Sequence, residues 1–250
     1  MTVTLAQIWR HPIKAHGAEA LDQVEVVAGH TLPWDRTWAV THEAAKTDGS
    51  AWAKCANFSR GAKAPALMAI SARLDDDGST ITLSHPNRTP LTFRPDNSDD
   101  LPAFLEWTRP LMPADRAAST GIVRVEGRGM TDTDFPSISL ANLASLKDLS
   151  AKTGQNLDPR RFRANLWVDG LAPWAEFDWV GKTITIDGTA FRVVEPIERC
   201  LATAANPATG ERDADTLGAL EAGWGHRDFG IFLTALDDGQ IAIGARVDIG

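Results

Sequence analysis

Hydrophobic and polar positions alternate in short runs through the first third of the chain, the period-two pattern of strands with one buried face. Gln23–Val27 and Thr37–Val40 are such runs, and Ala66–Leu74 and Thr80–Leu83 form a pair across Asp75-Asp76-Asp77-Gly78, a good hairpin turn. Leu101–Leu111 changes to helical spacing, and Pro113 stops it. A second helix is predicted over Ser139–Leu149, where Leu143, Leu146 and Leu149 recur every third residue and Gly154 lies just past the end. Arg163–Val168 reads as a strand. Lys182–Ile186 and Thr189–Val194 form the clearest hairpin, around Asp187-Gly188, and Pro196 should end its second strand. Ile231–Ala235 and Gln240–Ile243 read as another hairpin around Asp237-Asp238-Gly239. The pattern predicts a mainly β (α+β) protein in two lobes, residues 1–125 and 126–250.

Length and composition agree with a soluble globular chain. Its 250 residues, 43% hydrophobic and 23% charged, can bury a full core. A net charge of -8 opposes a phosphate backbone, so nucleic acid is not an expected partner. No segment has the apolar length of a membrane span, and Met1–Lys14 lacks the apolar run of a signal peptide, so a cytoplasmic protein with no membrane partner is expected. The two cysteines, Cys55 and Cys200, make no disulfide framework and cannot supply the four thiolates of an ordinary iron–sulfur cluster.

The chain carries no phosphate-binding P-loop, no Gly-x-Gly-x-x-Gly opening a helix, no Gly-x-Ser-x-Gly and no paired-His zinc motif. Attention falls instead on Pro196-Ile197-Glu198-Arg199-Cys200-Leu201-Ala202-Thr203, just past a strand end. A loop cysteine beside a cation can act as a nucleophile or a soft-metal ligand, or can be a buried structural thiol. Cys55 follows Lys54, so local charge does not choose between the two cysteines. Glu198 places a carboxylate beside Cys200, which would oppose anionic substrates and favour neutral or cationic ones.

The second half resembles the MOSC domain in order along the chain. The segments are Arg160-Arg161-Phe162-Arg163-Ala164-Asn165, Ala175-Glu176-Phe177-Asp178-Trp179, Glu198-Arg199-Cys200-x-x-Thr203, Asn206-Pro207-Ala208-Thr209-Gly210, Asp228-Phe229-Gly230 and Gly239-Gln240-Ile241-Ala242-Ile243-Gly244. The first half, through His11-Pro12-Ile13-Lys14 and Asp35-Arg36-Thr37-Trp38, is similar to the β-barrel domain that precedes MOSC in the mitochondrial amidoxime-reducing component and its bacterial relatives. The resemblance implies an N-terminal β-barrel-like domain packed on a C-terminal MOSC β-barrel with a few helices.

It also implies a molybdenum cofactor, a pterin-bound metal (molybdopterin), ligated by Cys200. Lys14, Arg36 and Arg163 are then the cations for the pterin phosphate, Asn165 a polar pterin contact and Thr203 a cofactor-side residue that braces the Cys200 loop. Asp132 and Asp134 fall where relatives carry an acidic residue near the metal, and with Cys200 they are the catalytic candidates. The implied activity is an oxidoreductase that removes oxygen from small N-hydroxylated substrates, with a separate electron-donor reductase as partner. The alternative is a carrier of molybdenum cofactor or sulfur without turnover.

Overall fold

The computed structural model describes residues 2–249. The chain opens with strands β1 (Val3–Arg10), β2 (Glu19–Leu21), β3 (Gln23–Val26) and β4 (Trp38–His42). Then follow β5 (Ser71–Leu74), β6 (Ile81–His85), β7 (Arg88–Phe93), helix α1 (Leu101–Thr108) and β8 (Ser119–Arg124). The second half runs β9 (Ile138–Asn142), α2 (Leu143–Thr153), β10 (Leu166–Asp169), β11 (Thr183–Ile186) and β12 (Thr189–Glu198). It ends with α3 (Thr216–Trp224), β13 (Asp228–Ala235), β14 (Gly239–Ala242) and β15 (Arg246–Ile249).

Seven strands close into a barrel in the order β10-β9-β13-β12-β11-β15-β1, completed by antiparallel pairing of β1 with β10. Closure leaves no open edge to template another chain. Alternate residues fill the interior, Phe191 and Val193 of β12 and Ile231 and Leu233 of β13, and a register shift after Leu5 brings both Leu5 and Ile8 of β1 into it. A barrel this narrow is packed solid, so chemistry belongs at its rim. The first strands are part of this construction, since β1 lies between β10 and β15, and β3 pairs with β14. The remaining N-terminal elements, the β4–β8 pair, the β5-β6-β7 sheet and α1, surround a second core that includes Trp38, Val40, Leu83, Phe93 and Phe104. Helices α2 and α3 pack outside the barrel over Phe162, Trp167 and Phe229. The expected mainly β architecture is the one that forms.

Several elements differ from their predicted limits, each for a physical reason. Ser139–Asn142 belongs to β9 rather than the helix: it is buried throughout, between barrel interior and α2 layer, and so shows no alternation. Asn142 instead caps α2, its side chain accepting from the Ala144 amide, and Gly154 ends the helix at φ 70. Residues 65–69 form a 3₁₀ turn opened by Pro65, leaving the strand to Ser71–Leu74. The final run is no hairpin, because β14 pairs with β3 and not with β13. Pro196 does not end β12. It lies inside the strand beside register shifts at Val193/Glu195 and Pro196/Glu198, and a bulge tolerates the missing amide. Arg163, expected to open a strand, and Arg36, just ahead of one, occupy left-handed positions in turns before β10 and β4, at φ 49 and φ 52.

Candidate functional site

A cleft of about 730 Å³ opens at the barrel rim, with walls drawn from the loops after β1 and β12, the turns before β4 and β10, and the segments 52–62 and 132–135. Lys14, Arg36, Asp132, Asp134, Arg163, Cys200 and Thr203 all line it. Asn165 does not; it stands behind Arg36, in a small void beside Ser139 and Asp132.

Backbone hydrogen bonds clip these loops together. The Lys14 amide donates to Trp38 O at 2.8 Å, the Arg36 amide to His11 O at 2.7 Å and the Met130 amide to Arg36 O at 2.7 Å. Ala15, Arg36 and Arg163 all have φ near +50° to +65° and all line the cleft. Left-handed backbone costs a residue with a Cβ about 1–2 kcal/mol, and such strain gathers where side chains must be aimed.

The floor is cationic and its cations are individually held. Lys14 Nζ donates to Met130 O at 2.7 Å and to Asp132 at 2.5 Å. Arg36 pairs with buried Asp35 and donates to Arg163 O at 2.8 Å. Asn165 fixes this corner from behind: its Oδ1 accepts from Ser139 Oγ at 2.8 Å, and its Nδ2 donates to Trp9 O at 3.1 Å. Burial opposes the charge on Asp35, but Arg36 and the bonds from His11 outweigh it and hold the carboxyl below its ordinary range. Asp132 is open to solvent through the cleft mouth, yet protein surrounds it on the other sides. That enclosure opposes its charge, and Lys14, Arg36 and Arg163 overcome the opposition, keeping it below the usual carboxylate range. Burial, then the charges of Arg163 and Arg36, push His11 down to about 3, so it is neutral beneath the cluster.

Cys200 is exposed at the end of β12 and starts the 3₁₀ turn Leu201–Ala204. Thr203 Oγ1 donates to Cys200 O at 3.1 Å and lies 2.6 Å from Thr216 Oγ1, tying the cysteine loop to α3. Arg199 turns inward: Nε donates to Phe229 O at 2.7 Å and Nη1 to Phe162 O at 2.8 Å, with the guanidinium over both rings. Burial pushes it down to about 9, so it stays charged at neutral pH and works as a clamp on the strand exit. Gly230 makes room for this clamp, since a Cβ there would meet Leu140 O at 2.5 Å and Arg199 at 3.3 Å.

Sequence reasoning missed the opposite wall. Arg60 and Lys54 line the cleft, and Arg60 Nη1 lies 3.3 Å from Cys55 Sγ, so both cysteines face the same space. The available signal was Gly61: a Cβ there would meet Met68 Sδ at 2.5 Å and Ala202 at 3.5 Å, marking a close approach to the Cys200 loop.

These features suit an anion paired with a soft metal. Arg163 Nη2 and Arg161 Nε are buried without partners, on residues lining the cleft. A buried guanidinium N–H without an acceptor is costly, and a phosphate oxygen would satisfy it. Among the described residues no group of three or more His, Cys, Asp or Glu side chains could hold a metal alone, so a metal at Cys200 would bring its other ligands with it.

Fold and site together define a two-module β protein with one exposed thiol at a cationic inter-module cleft. Residues 130–248 match the MOSC domain and residues 2–118 the MOSC N-terminal beta barrel domain, and the chain belongs to the MOSC family. Similar curated proteins include the molybdenum cofactor sulfurase of Drosophila willistoni, 35% identical over 40% of this chain, and that of Anopheles gambiae, 35% identical over 35%. The chain spans 12% of the length of each. Among solved structures, the YuaD protein from Bacillus subtilis aligns over 100% of this chain and 96% of its own, at 12% identity and a TM-score of 0.49. YiiM from Geobacillus stearothermophilus aligns over 45% of this chain and 53% of its own, at 17% identity and a TM-score of 0.36. Among the described residues no helix is long and apolar enough to cross a membrane.

Proposed function

We propose that this chain is a molybdenum-cofactor-dependent oxidoreductase that reduces N-hydroxylated compounds in the cleft, with Cys200 as the thiolate ligand of the metal. The observation that carries this reading is the juxtaposition, in one cleft, of an exposed soft donor and two buried guanidinium nitrogens, Arg163 Nη2 and Arg161 Nε, that lack acceptors. Arg163 and Arg36, with Lys14, would hold the pterin phosphate, and Asn165 would act from behind by fixing Arg36 rather than by touching the pterin. When bound, the cofactor supplies the two-electron removal of oxygen. The protein's own part is to present the thiolate, exclude water and orient the substrate. Asp132, kept ionised by Lys14, is suited to accept a hydrogen bond or proton rather than to give one, which leaves Asp134 as the other acidic candidate on that wall.

A second reading, a carrier of cofactor or sulfur with Cys200 as the attachment point, is favoured by the name shared by the curated relatives. The contribution of Lys14 and Arg36 from the N-terminal module favours the enzyme, since a bare sulfur carrier has no need of an anion cradle. The test is protein made in a cofactor-competent host and assayed for molybdenum, pterin and dye-driven reduction of an N-hydroxylated base. Cys200→Ala should lose metal and activity and keep its fold, while Cys55→Ala retains metal. Full activity in the Cys200 variant would end the proposal; metal without turnover in the parent protein would favour the carrier.

A further inference from the structure

Two arginines stand side by side in the 3₁₀ turn Pro159–Phe162, and the fold sends them different ways. Neighbours in such a turn point about 120° apart. Arg160 leans outward onto Asp158, its side chain 34% exposed, whereas the Arg161 side chain is 3% exposed and lines the cleft. A buried guanidinium needs acceptors for its N–H groups, and Arg161 has them on one side. Nη1 donates to Ala204 O at 3.1 Å and Nη2 to Asp213 Oδ1 at 2.6 Å, while Nε has no partner.

The two satisfied contacts lead to the cysteine. Ala204 closes the 3₁₀ turn Leu201–Ala204 that Cys200 opens, so Arg161 holds the far end of the turn that presents the thiol. Asp213 reinforces the same point: its amide also donates to Ala204 O, at 3.1 Å, and its Oδ2 accepts from Asn206 Nδ2 at 2.7 Å. A guanidinium is planar and rigid, so its nitrogens cannot be placed independently. An acceptor that engages Nε therefore also fixes the nitrogen that grips Ala204.

We infer that Arg161 is a positioning residue that couples anion binding in the cleft to the placement of Cys200: a phosphate oxygen at Nε locks the guanidinium and, through Ala204, the turn that carries the thiol. The inference rests on reading the cleft as an anion site, and it makes the cationic floor and the thiol one coupled unit.

The test uses the full chain, free of cofactor and carrying Cys55→Ser, so that Cys200 is the one cysteine left. Alkylation by neutral iodoacetamide is timed with and without inorganic phosphate at constant pH and ionic strength, and calorimetry measures phosphate binding separately. Saturating phosphate should slow alkylation about fivefold in this protein. Arg161→Met removes the link and leaves the 40% exposed Asp213 to Asn206 and water. Arg161→Lys keeps a cation for Asp213 but lacks the fork that spans Nε and Ala204. Near-UV circular dichroism establishes that each variant is intact. Both should still bind phosphate through Arg163 and Lys14, and both should alkylate at rates within about 1.5-fold of each other with and without it. If Arg161 were only a structural ion pair, any slowing would come from phosphate shielding the thiol directly and would persist in both variants. Slowing that survives in an intact variant with phosphate bound therefore overturns the inference. So does an alkylation rate indifferent to phosphate before any Arg161 substitution is made. Phosphate-dependent alkylation in a protein that turns over no N-hydroxylated base would reject the assigned reaction and leave the coupling standing. Turnover with a phosphate-indifferent Cys200 would do the reverse.

Discussion

Arg163 combines a strained backbone, φ 49, with a guanidinium pushed down to about 9 by burial and by the nearby charge of Arg36. Neither feature stabilises the folded chain by itself, which is the mark of a residue kept for a ligand. The two contributions can be separated. Arg163→Gly relieves the left-handed strain, worth about 1 kcal/mol, and removes the charge; Arg163→Ala removes the charge alone. Both should lose pterin, measured by fluorescence after denaturation, while the glycine variant melts no lower than the alanine one. Unchanged pterin in both would place the phosphate elsewhere. At this scale the sequence was only partly legible. Lys14, Arg36, Arg163 and Cys200 were visible through short motifs, whereas Arg60 stands in a segment whose approach to the cleft depends on Gly61. Nor could local charge rank Cys200 over Cys55, and the fold explains why: both thiols face one cleft beside basic neighbours.

Strands that bury one face against solvent on the other were readable, and β3, β6 and the β11–β12 hairpin fall where alternation put them. That hairpin's turn has Asp187 and Gly188 both at positive φ, as a tight two-residue connection requires. Strands buried on both faces, such as β9, and pairings between distant segments, such as β3 with β14, leave no local trace. The exit of β12 was misjudged for a related reason, since Pro196 reads as a terminator until the bulge beside it is known. The element that then matters is the Cys200 turn, held through Thr203 to Thr216 on α3. Thr203→Val keeps the shape and removes both hydroxyl contacts. It should lower stability by about 1 kcal/mol in urea unfolding, and it should speed molybdenum loss during dialysis. Thr216→Val should reproduce the effect. A Thr203 variant that holds metal as firmly as the parent protein would show that the turn does not depend on this tie.

At the scale of the whole molecule, two buried histidines set the acid limit. Burial pushes His11 down to about 3 and His16 down to about 4, against about 6.5 in the unfolded chain. Below that value the unfolded state takes up protons that the folded state refuses. Stability should therefore fall as pH drops from about 6.5 toward 4, by about 1.4 kcal/mol per pH unit for each histidine. Asp35 and Asp132, held below their ordinary range, add their loss only at lower pH. Urea midpoints from pH 8 to 5 measure the slope, and His11→Asn or His16→Asn should flatten it. A flat profile in the parent protein would mean that these imidazoles take up protons in place.

The supply of electrons is also a property of the whole chain. Two cysteines cannot build an ordinary cluster, and no dinucleotide fingerprint opens a helix, so nothing visible in the chain turns a hydride into single electrons. Cofactor-loaded protein should therefore reduce N-hydroxylated bases with reduced viologen, or with a reductase from the same cell, and fail with a nicotinamide nucleotide alone. Cys200 is exposed, so a donor has a short approach to the proposed metal ligand. With a net charge of -8 on this chain, the donor's docking should be electrostatic, and its rate should drop as salt rises beyond physiological strength. The viologen rate, from a small dye needing no docked geometry, should change much less over the same range. Nucleotide-driven turnover at the dye's rate would overturn this expectation and require a hydride-accepting site within the chain.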